Sequence, residues 1–259
     1  AAALDQADAA LAALSEQALV VIDGLALGAM PTVVAQHRNR LRLVALVHHP
    51  LALETGLTAE LRQQLYLSER EALRQLRGVI VTSPSTVRAL ADYDIRPEQC
   101  VVVVPGTDPA PLATGSGGDE LTLLCVASLT PRKGHAVLFR ALARLKDQPW
   151  RLRCAGGADF DPVTAAELSI LVDELGLSAR IEFLGQLDEA ALALEYRQAD
   201  GFVLPSHHEG YGMALAEALA HGLPIISTTA GAIPDTVPTD AGLLVSPGDE
   251  AALAEALAR

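Results

Sequence analysis

Two carboxylates, Glu209 and Glu217, stand in the stretch HHEGYGMALAEALAHGLPI, residues 207–225, around a Gly-Tyr-Gly turn that leads into an alanine-rich helix. Carboxylates accept hydrogen bonds from vicinal hydroxyls, and glycines leave backbone N–H groups open to a ligand. Gly210 and Gly212, with Tyr211 and Met213 beside them, therefore make the head of this helix a candidate anion site. Glu217 falls more than one turn into the helix, as does an acidic residue that holds a ribose hydroxyl. The plain alternative is dipole stabilisation by Glu209 and solvent exposure for Glu217. It suffices for either residue alone and is weaker for the pair with its glycines.

A second group is basic. Arg132 and Lys133 follow the apolar run LTLLCVAS and open the next helical stretch, PRKGHAVLFRAL. Cations at a helix N-terminus oppose the macrodipole, so stability alone does not call for them there. Lys133 is also one of only two lysines in the chain, the other being Lys146. A solvated loop with Pro131 setting the helix start is the ordinary reading; the position after a strand favours ligands for a phosphate or diphosphate. His48 and His49 end the run LVALVHHP, where a histidine can hydrogen-bond a substrate hydroxyl or move a proton near neutral pH. Their surroundings lack the further ligands of a metal site. DFD, residues 159–161, reads as a solvated loop before Pro162 rather than a metal-binding pair. GxSxG, P-loop and GxGxxG patterns are absent from the sequence, which leaves hydrolase and triphosphatase chemistry with little support.

These residues need elements to hold them. Short apolar runs at 18–23, 42–48, 78–82, 100–104, 121–127, 150–155, 181–184, 201–205, 224–227 and 242–245 read as strands. Between them, helical periodicity spans 4–16, 30–39, 57–76, 84–92, 133–146, 162–175, 188–198, 211–221 and 249–258. The alternation predicts an α/β protein with parallel sheets covered by helices on both faces. PGTDPAPLATGSGGDE, residues 105–120, interrupts it. The expectation is a partial N-terminal Rossmann-like domain over 1–108, a linker over 109–119 and a C-terminal domain over 120–259. The two would face each other across a cleft. The first series begins on a helix and lacks a leading strand with a glycine-rich loop, so the N-terminal domain is expected to be incomplete.

Composition narrows the partners. The 259 residues carry a net charge of −13, which excludes a surface built to bind nucleic acid. Residues 1–110 hold 9 Arg against 12 acidic residues, whereas 119–259 hold 10 basic against 20 acidic residues, so the basic pair lies in the more acidic half. The longest apolar stretch, ALVVIDGLALGAMPTVVA, is broken by Asp23, Gly24, Gly28 and Pro31, and no transmembrane segment is expected. Cys100, Cys125 and Cys154 lie in or beside apolar runs without CxxC spacing, and read as buried thiols of a reducing, cytoplasmic compartment.

Taken together, ASLTPRKGHAVLFRALARL, FLGQL, PSHHEGYGMALAEALAHGLPIIST and AGAIPDTV…AGLLVSPGDEAALAEAL resemble the donor-binding domain of retaining glycosyltransferase family 4, which has the two-domain GT-B fold. Glu209 and Glu217 match that family's E-x7-E motif. The resemblance implies that Arg132 and Lys133 bind the diphosphate of a nucleotide-sugar donor of UDP or GDP type. It further implies that Glu209 holds the donor sugar, that Gly210, Tyr211, Gly212 and Met213 offer backbone contacts, that Glu217 binds the ribose, and that His48 lies beside the sugar. Many relatives have Gly-Arg where this chain has Ala127 and Ser128; Ser128 joins the donor-site set, and Arg132 would replace the missing arginine. Asp235 stands where glutamate is more usual. The activity implied is a metal-independent, cofactor-free hexosyl transfer to an unknown acceptor, whether glycan, lipid or small molecule. Alternatives are a nucleotide-sugar-binding module without turnover, or an epimerase or phosphorylase of the same fold.

Overall fold

The computed structural model describes residues 2–54 and 56–259. The chain divides into two compact units, Ala1–Pro105 and Gly106–Arg259. The first contains α1 (Ala2–Ala12), β1 (Leu19–Asp23), α2 (Gly24–Gly28), α3 (Pro31–His37), β2 (Arg42–Val47), α4 (Ala59–Leu73), β3 (Gly78–Val81), α5 (Pro84–Leu90) and β4 (Cys100–Val102). Its strands form one parallel sheet in the order β1-β2-β3-β4.

Each helix of this unit starts or stops for a local reason. Thr58 caps α4 by accepting the Leu61 N–H, and Ser83 caps α5 ahead of Pro84, whose fixed φ suits the first helical position. The helix expected over 4–16 stops at Ala12. Gln17 enters the left-handed region at φ 60° and gives its N–H to the Arg40 carbonyl at 2.8 Å, turning the chain towards β1. α2, a five-residue turn bounded by two glycines and too short to show a helical period, is capped by Asp23, which accepts the Leu25 N–H. Leu43, Ala45 and Val47 of β2 form the core with Leu27, Val34, Leu73 and Val81.

The second unit contains β5 (Leu121–Val126), α6 (His135–Ala143), β6 (Trp150–Ala155), α7 (Pro162–Glu174), β7 (Ile181–Gly185), α8 (Glu189–Gln198), β8 (Gly201–Leu204), α9 (Met213–Ala220), β9 (Ile225–Thr228), α10 (Ile233–Thr236), β10 (Gly242–Val245) and α11 (Glu250–Leu257). Its six parallel strands run in the order β10-β9-β8-β5-β6-β7. From β5 the chain winds outward through β6 and β7, then returns to place β8 on the other side of β5. The winding direction reverses there, and in open parallel sheets ligands bind at such a switch point, beyond the carboxyl ends of the strands. All four residues of β8 are buried, as expected of a strand covered on both faces. Phe139, Leu138, Leu142, Leu152 and Phe202 fill the core, each large apolar side chain contributing about 1.5–3 kcal/mol on burial.

The segment expected as a linker packs on this unit. The Ala113 and Thr114 amides donate to the His221 and Arg197 carbonyls at 2.7 and 2.8 Å, and the Ser116 amide donates to Asp200 Oδ1 at 2.9 Å. Cys125 and Cys154 are free, buried thiols in register on β5 and β6. Cys100, expected to be buried as well, is only half-buried because it opens the edge strand β4. Among the described residues, no helix is long and apolar enough to cross a membrane.

Candidate functional site

The loops after β5 and β8 meet at the switch point. Pro131 starts a 3-10 turn, Pro131–Lys133, and Gly134 ends it at φ 74° before α6 begins. Arg132 and Lys133 therefore both precede the helix, which starts at His135 and not at the expected residue 133. Gly134 is required twice over: its φ is left-handed, and a Cβ there would stand 2.1 Å from the Pro205 carbonyl oxygen at the end of β8. This close approach locks the basic turn onto the neighbouring loop. The His207 amide donates to the Arg132 carbonyl at 2.8 Å, and the Arg132 guanidinium donates to the His208 carbonyl at 2.9 Å.

Glu209 is the centre of the arrangement. Only 6% exposed, it accepts from Lys133 Nζ at 2.7 Å and from the Ser206 hydroxyl at 2.6 Å, both on Oε1. Arg132 Nη1 lies 3.6 Å from Oε2. Its own carbonyl accepts the Ala232 amide at 2.9 Å, across the loop that follows β9. Neither dipole stabilisation nor simple solvent exposure describes this residue: it neutralises two cations in a mostly dehydrated place. Such a cluster is poised for exchange, because an incoming anion can take the cations while the carboxylate turns to other donors.

Glu217 stands apart from that cluster. Gly212, at φ 92°, turns the chain into α9 without a side-chain cap, and Thr236 fixes the turn by donating its hydroxyl to the Tyr211 carbonyl at 2.6 Å. Along α9, Glu217 Oε2 accepts the Tyr196 hydroxyl at 2.9 Å. Tyr196 stacks on His221 at 4.9 Å between ring centroids, and His221 Nδ1 lies 2.9 Å from the Pro111 carbonyl. Burial first, then the Glu217 charge, push ionisation of the Tyr196 hydroxyl far up, so it remains a donor. A cavity of about 450 Å³ opens here, bounded by Glu217, Tyr196, Met213, Glu189 and Thr107. A slightly larger one, about 500 Å³, lies between α6 and α7. The smaller cavity is the better ligand space, because a carboxylate and a fixed hydroxyl converge on it.

The remaining candidates fall as follows. Ser128 lies in the loop between β5 and the basic turn, its carbonyl accepting the Thr130 amide at 2.9 Å. Gly210 and Met213 flank the turn into α9, Met213 being its first residue. Asp161 caps α7 by accepting the Thr164 amide and hydroxyl at 3.0 and 2.7 Å, which gives DFD a structural role. In the first unit, His48 Nε2 lies 3.3 Å from Asp23 Oδ2 at the carboxyl ends of β1 and β2. Among the described residues, no cluster of three His, Cys, Asp or Glu side chains is arranged to hold a metal ion. Ser206, Tyr196 and Asp23 escaped the sequence reading; Ser206 alone left a local signal, three residues ahead of Glu209.

Residues 120–259, which hold both the Lys133–Glu209 cluster and Glu217, match the family described as Glycosyl transferases group 1. The chain belongs to this family. Among curated relatives, the D-inositol 3-phosphate glycosyltransferase of Corynebacterium kroppenstedtii is 31% identical over 202 residues, covering 70% of this chain and 44% of the relative. The chain thus spans about half the length of the curated relatives it matches. Among solved structures, the sucrose-phosphate synthase of Thermosynechococcus elongatus superposes with a TM-score of 0.80 at 29% identity, over 93% of this chain and 63% of that one. HepE of Anabaena, solved in complex with UDP-glucose, gives a TM-score of 0.76 at 24% identity, over 91% of this chain and 67% of its own. These likenesses place the chain in the GT-B fold.

Proposed function

We propose that the chain handles the donor in a retaining, metal-independent glycosyl transfer from a nucleotide-diphosphate sugar to an acceptor hydroxyl. The observation that carries the proposal is the Lys133–Glu209–Arg132 cluster at the switch point between β5 and β8. When the donor binds, its diphosphate takes over Lys133 and Arg132, with the α9 N-terminus adding its partial positive charge. Glu209, released from the cations, accepts the sugar hydroxyls. Glu217 and Tyr196 receive the ribose in the cavity they border.

The reaction breaks the bond between the anomeric carbon and the diphosphate oxygen and forms one to the acceptor oxygen on the same face. The acceptor proton passes to the departing diphosphate. Catalysis on this reading is electrostatic preorganisation: two guanidinium and ammonium charges stand where the leaving group gains negative charge, the part a divalent cation plays in other transferases. For His48, in the first unit, only the resemblance implies a place beside a donor sugar; within its own unit its Nε2 lies 3.3 Å from Asp23 Oδ2. UDP is the first nucleotide to test, because HepE is a fold neighbour solved with UDP-glucose. Free thiols at Cys125 and Cys154 support a cytoplasmic setting.

The test is calorimetric titration of UDP, GDP, UDP-glucose and GDP-mannose, each with and without a chelator. Micromolar to millimolar binding of one donor, unchanged by the chelator, is expected, and no binding by any of them at millimolar concentration sinks the reading. Where transfer is seen, NMR of the anomeric proton in the product decides retention.

A further inference from the structure

Glu69 lies on α4 with none of its surface exposed. A carboxyl so placed must find its hydrogen-bond partners within the protein. Its Oε2 accepts the Leu51 amide at 2.9 Å, whereas Oε1 and the Tyr93 hydroxyl are neighbours that interact without forming a well-aligned hydrogen bond. The adjacent Ser68 donates its hydroxyl to the Gly28 carbonyl at 2.5 Å. One turn of α4 thus pins the end of α2 and the loop that follows β2.

The second loop carries His48 and His49. Its near side is clamped by the Thr82 and Thr86 hydroxyls, each donating to the His48 carbonyl at 3.3 Å, while Asp23 meets the His48 imidazole. Leu51, three residues on, is the far side. Glu69 is what holds it.

Burial raises the Glu69 carboxyl to about 7, with the Leu51 amide and the Tyr93 hydroxyl opposing the rise. Other charges nearby are engaged elsewhere. The 3-10 turn Leu51–Leu53 and α2 carry no titratable side chain. His37 of α3 is bound to Asp8 at 2.7 Å, His49 and Glu54 face each other at 3.3 Å, and Arg70 and Arg74 pair with Asp94. Tyr93, whose own ionisation burial pushes up, is the titratable neighbour.

We propose that Glu69 is the positioning residue of the His48–Glu54 loop and that its proton tightens the loop's hold. Without the proton, a charge occupies a pocket in which, among the described residues, the Leu51 N–H and the Tyr93 hydroxyl are the groups that answer it, and opening to water relieves that charge. A carboxyl raised in the folded state stabilises most below its unfolded value and loses that contribution as pH rises through the folded one. The closed loop is therefore favoured most below about pH 4.5 and least above about pH 7, because the burial penalty on the charge outweighs the stronger hydrogen bond that an ionised carboxylate accepts from Leu51. This inference does not depend on the sugar-transfer reading.

The test is amide hydrogen exchange on the whole chain from pH 5 to 8, corrected for intrinsic rates. In the wild type, protection of Leu51 and Ala52 should fall by up to about tenfold per pH unit and level off near pH 7, while β2 amides do not follow. Glu69→Gln keeps an acceptor for Leu51 but does not titrate, so its protection should be flat. Tyr93→Phe removes a group that favours the ionised carboxyl and should move the levelling to higher pH. Flat protection in the wild type, or the same fall in Glu69→Gln, overturns the proposal. Should Glu69→Gln fail to fold, an unshifted levelling in Tyr93→Phe overturns it instead.

Discussion

Lys133 Nζ stands 2.7 Å from Glu209 Oε1 in a place where both side chains are largely withdrawn from water. The pair joins the loop after β5 to the loop after β8, and it occupies the charges that a diphosphate would use. Removing one partner of a buried pair leaves the other uncompensated, at a cost of about 3–5 kcal/mol. Arg132, 3.6 Å from the second carboxylate oxygen, softens that cost here. Lys133→Ala is expected to lower the melting temperature and to weaken UDP binding about tenfold or more, the worth of a charged hydrogen bond. Lys133→Met combined with Glu209→Gln should recover the stability but not the affinity. Thermal melts and calorimetry on both variants separate the two effects, and recovered affinity in the double variant would count against the diphosphate role.

Glu217 is held by the Tyr196 hydroxyl, so its carboxylate is already oriented before a ligand arrives. If it receives ribose hydroxyls, the chain should bind UDP about tenfold tighter than 2′-deoxy-UDP. In Glu217→Ala that preference should vanish while diphosphate-dependent binding persists. Tyr196→Phe should reduce the preference only in part, because it releases the carboxylate without removing it. Equal affinity of the wild type for both nucleotides would remove Glu217 from the ribose site.

Much of this architecture was legible because parallel strands buried on both faces read as unbroken apolar runs; GFVL of β8 is the plainest case. The basic turn was legible for the same reason, since a strand end is where such a fold exposes its chemistry. What pairs with what was not. Lys133 and Glu209 are separated by 76 residues and meet only because β8 returns to lie beside β5, an outcome of winding order that no local pattern records. Tyr196 reaches Glu217 from α8 across 21 residues, again through packing. Short elements such as α2 and α10 also escaped: a four- or five-residue helix has no full period of apolar positions, and α2 is framed by glycines that usually mark loops.

Gly134 gives a sharp steric test. A methyl group there meets the Pro205 carbonyl oxygen at 2.1 Å, and the backbone lies at φ 74°. Both effects act in the same direction, and neither the carbonyl nor the turn can yield without moving β8 or the basic loop. Gly134→Ala is expected to cost about 3 kcal/mol or more, and to abolish UDP binding by displacing Lys133. Urea unfolding monitored by circular dichroism measures the first effect. A variant within about 0.5 kcal/mol of the wild type would show that the two loops are not locked together.

Asp200 supplies an acid-side prediction with a definite sign. Burial alone would raise its carboxyl, but the Thr122 and Ser116 amides outweigh that effect and hold it below the ordinary value of 3.8. Its oxygens accept those amides at 2.8 and 2.9 Å, tying β5 and the segment ahead of it to the loop ahead of β8. A carboxyl lowered in the folded state stabilises above its unfolded value, and that contribution is lost as pH falls through the folded one. Stability should therefore decline below about pH 3.8 in part through Asp200. Asp200→Asn, which retains one acceptor and no charge, should be less stable at pH 7 and should decline less steeply below pH 4. Melting temperatures of the two proteins that fall in parallel from pH 5 to pH 2.5 would show that Asp200 takes no part in the acid transition.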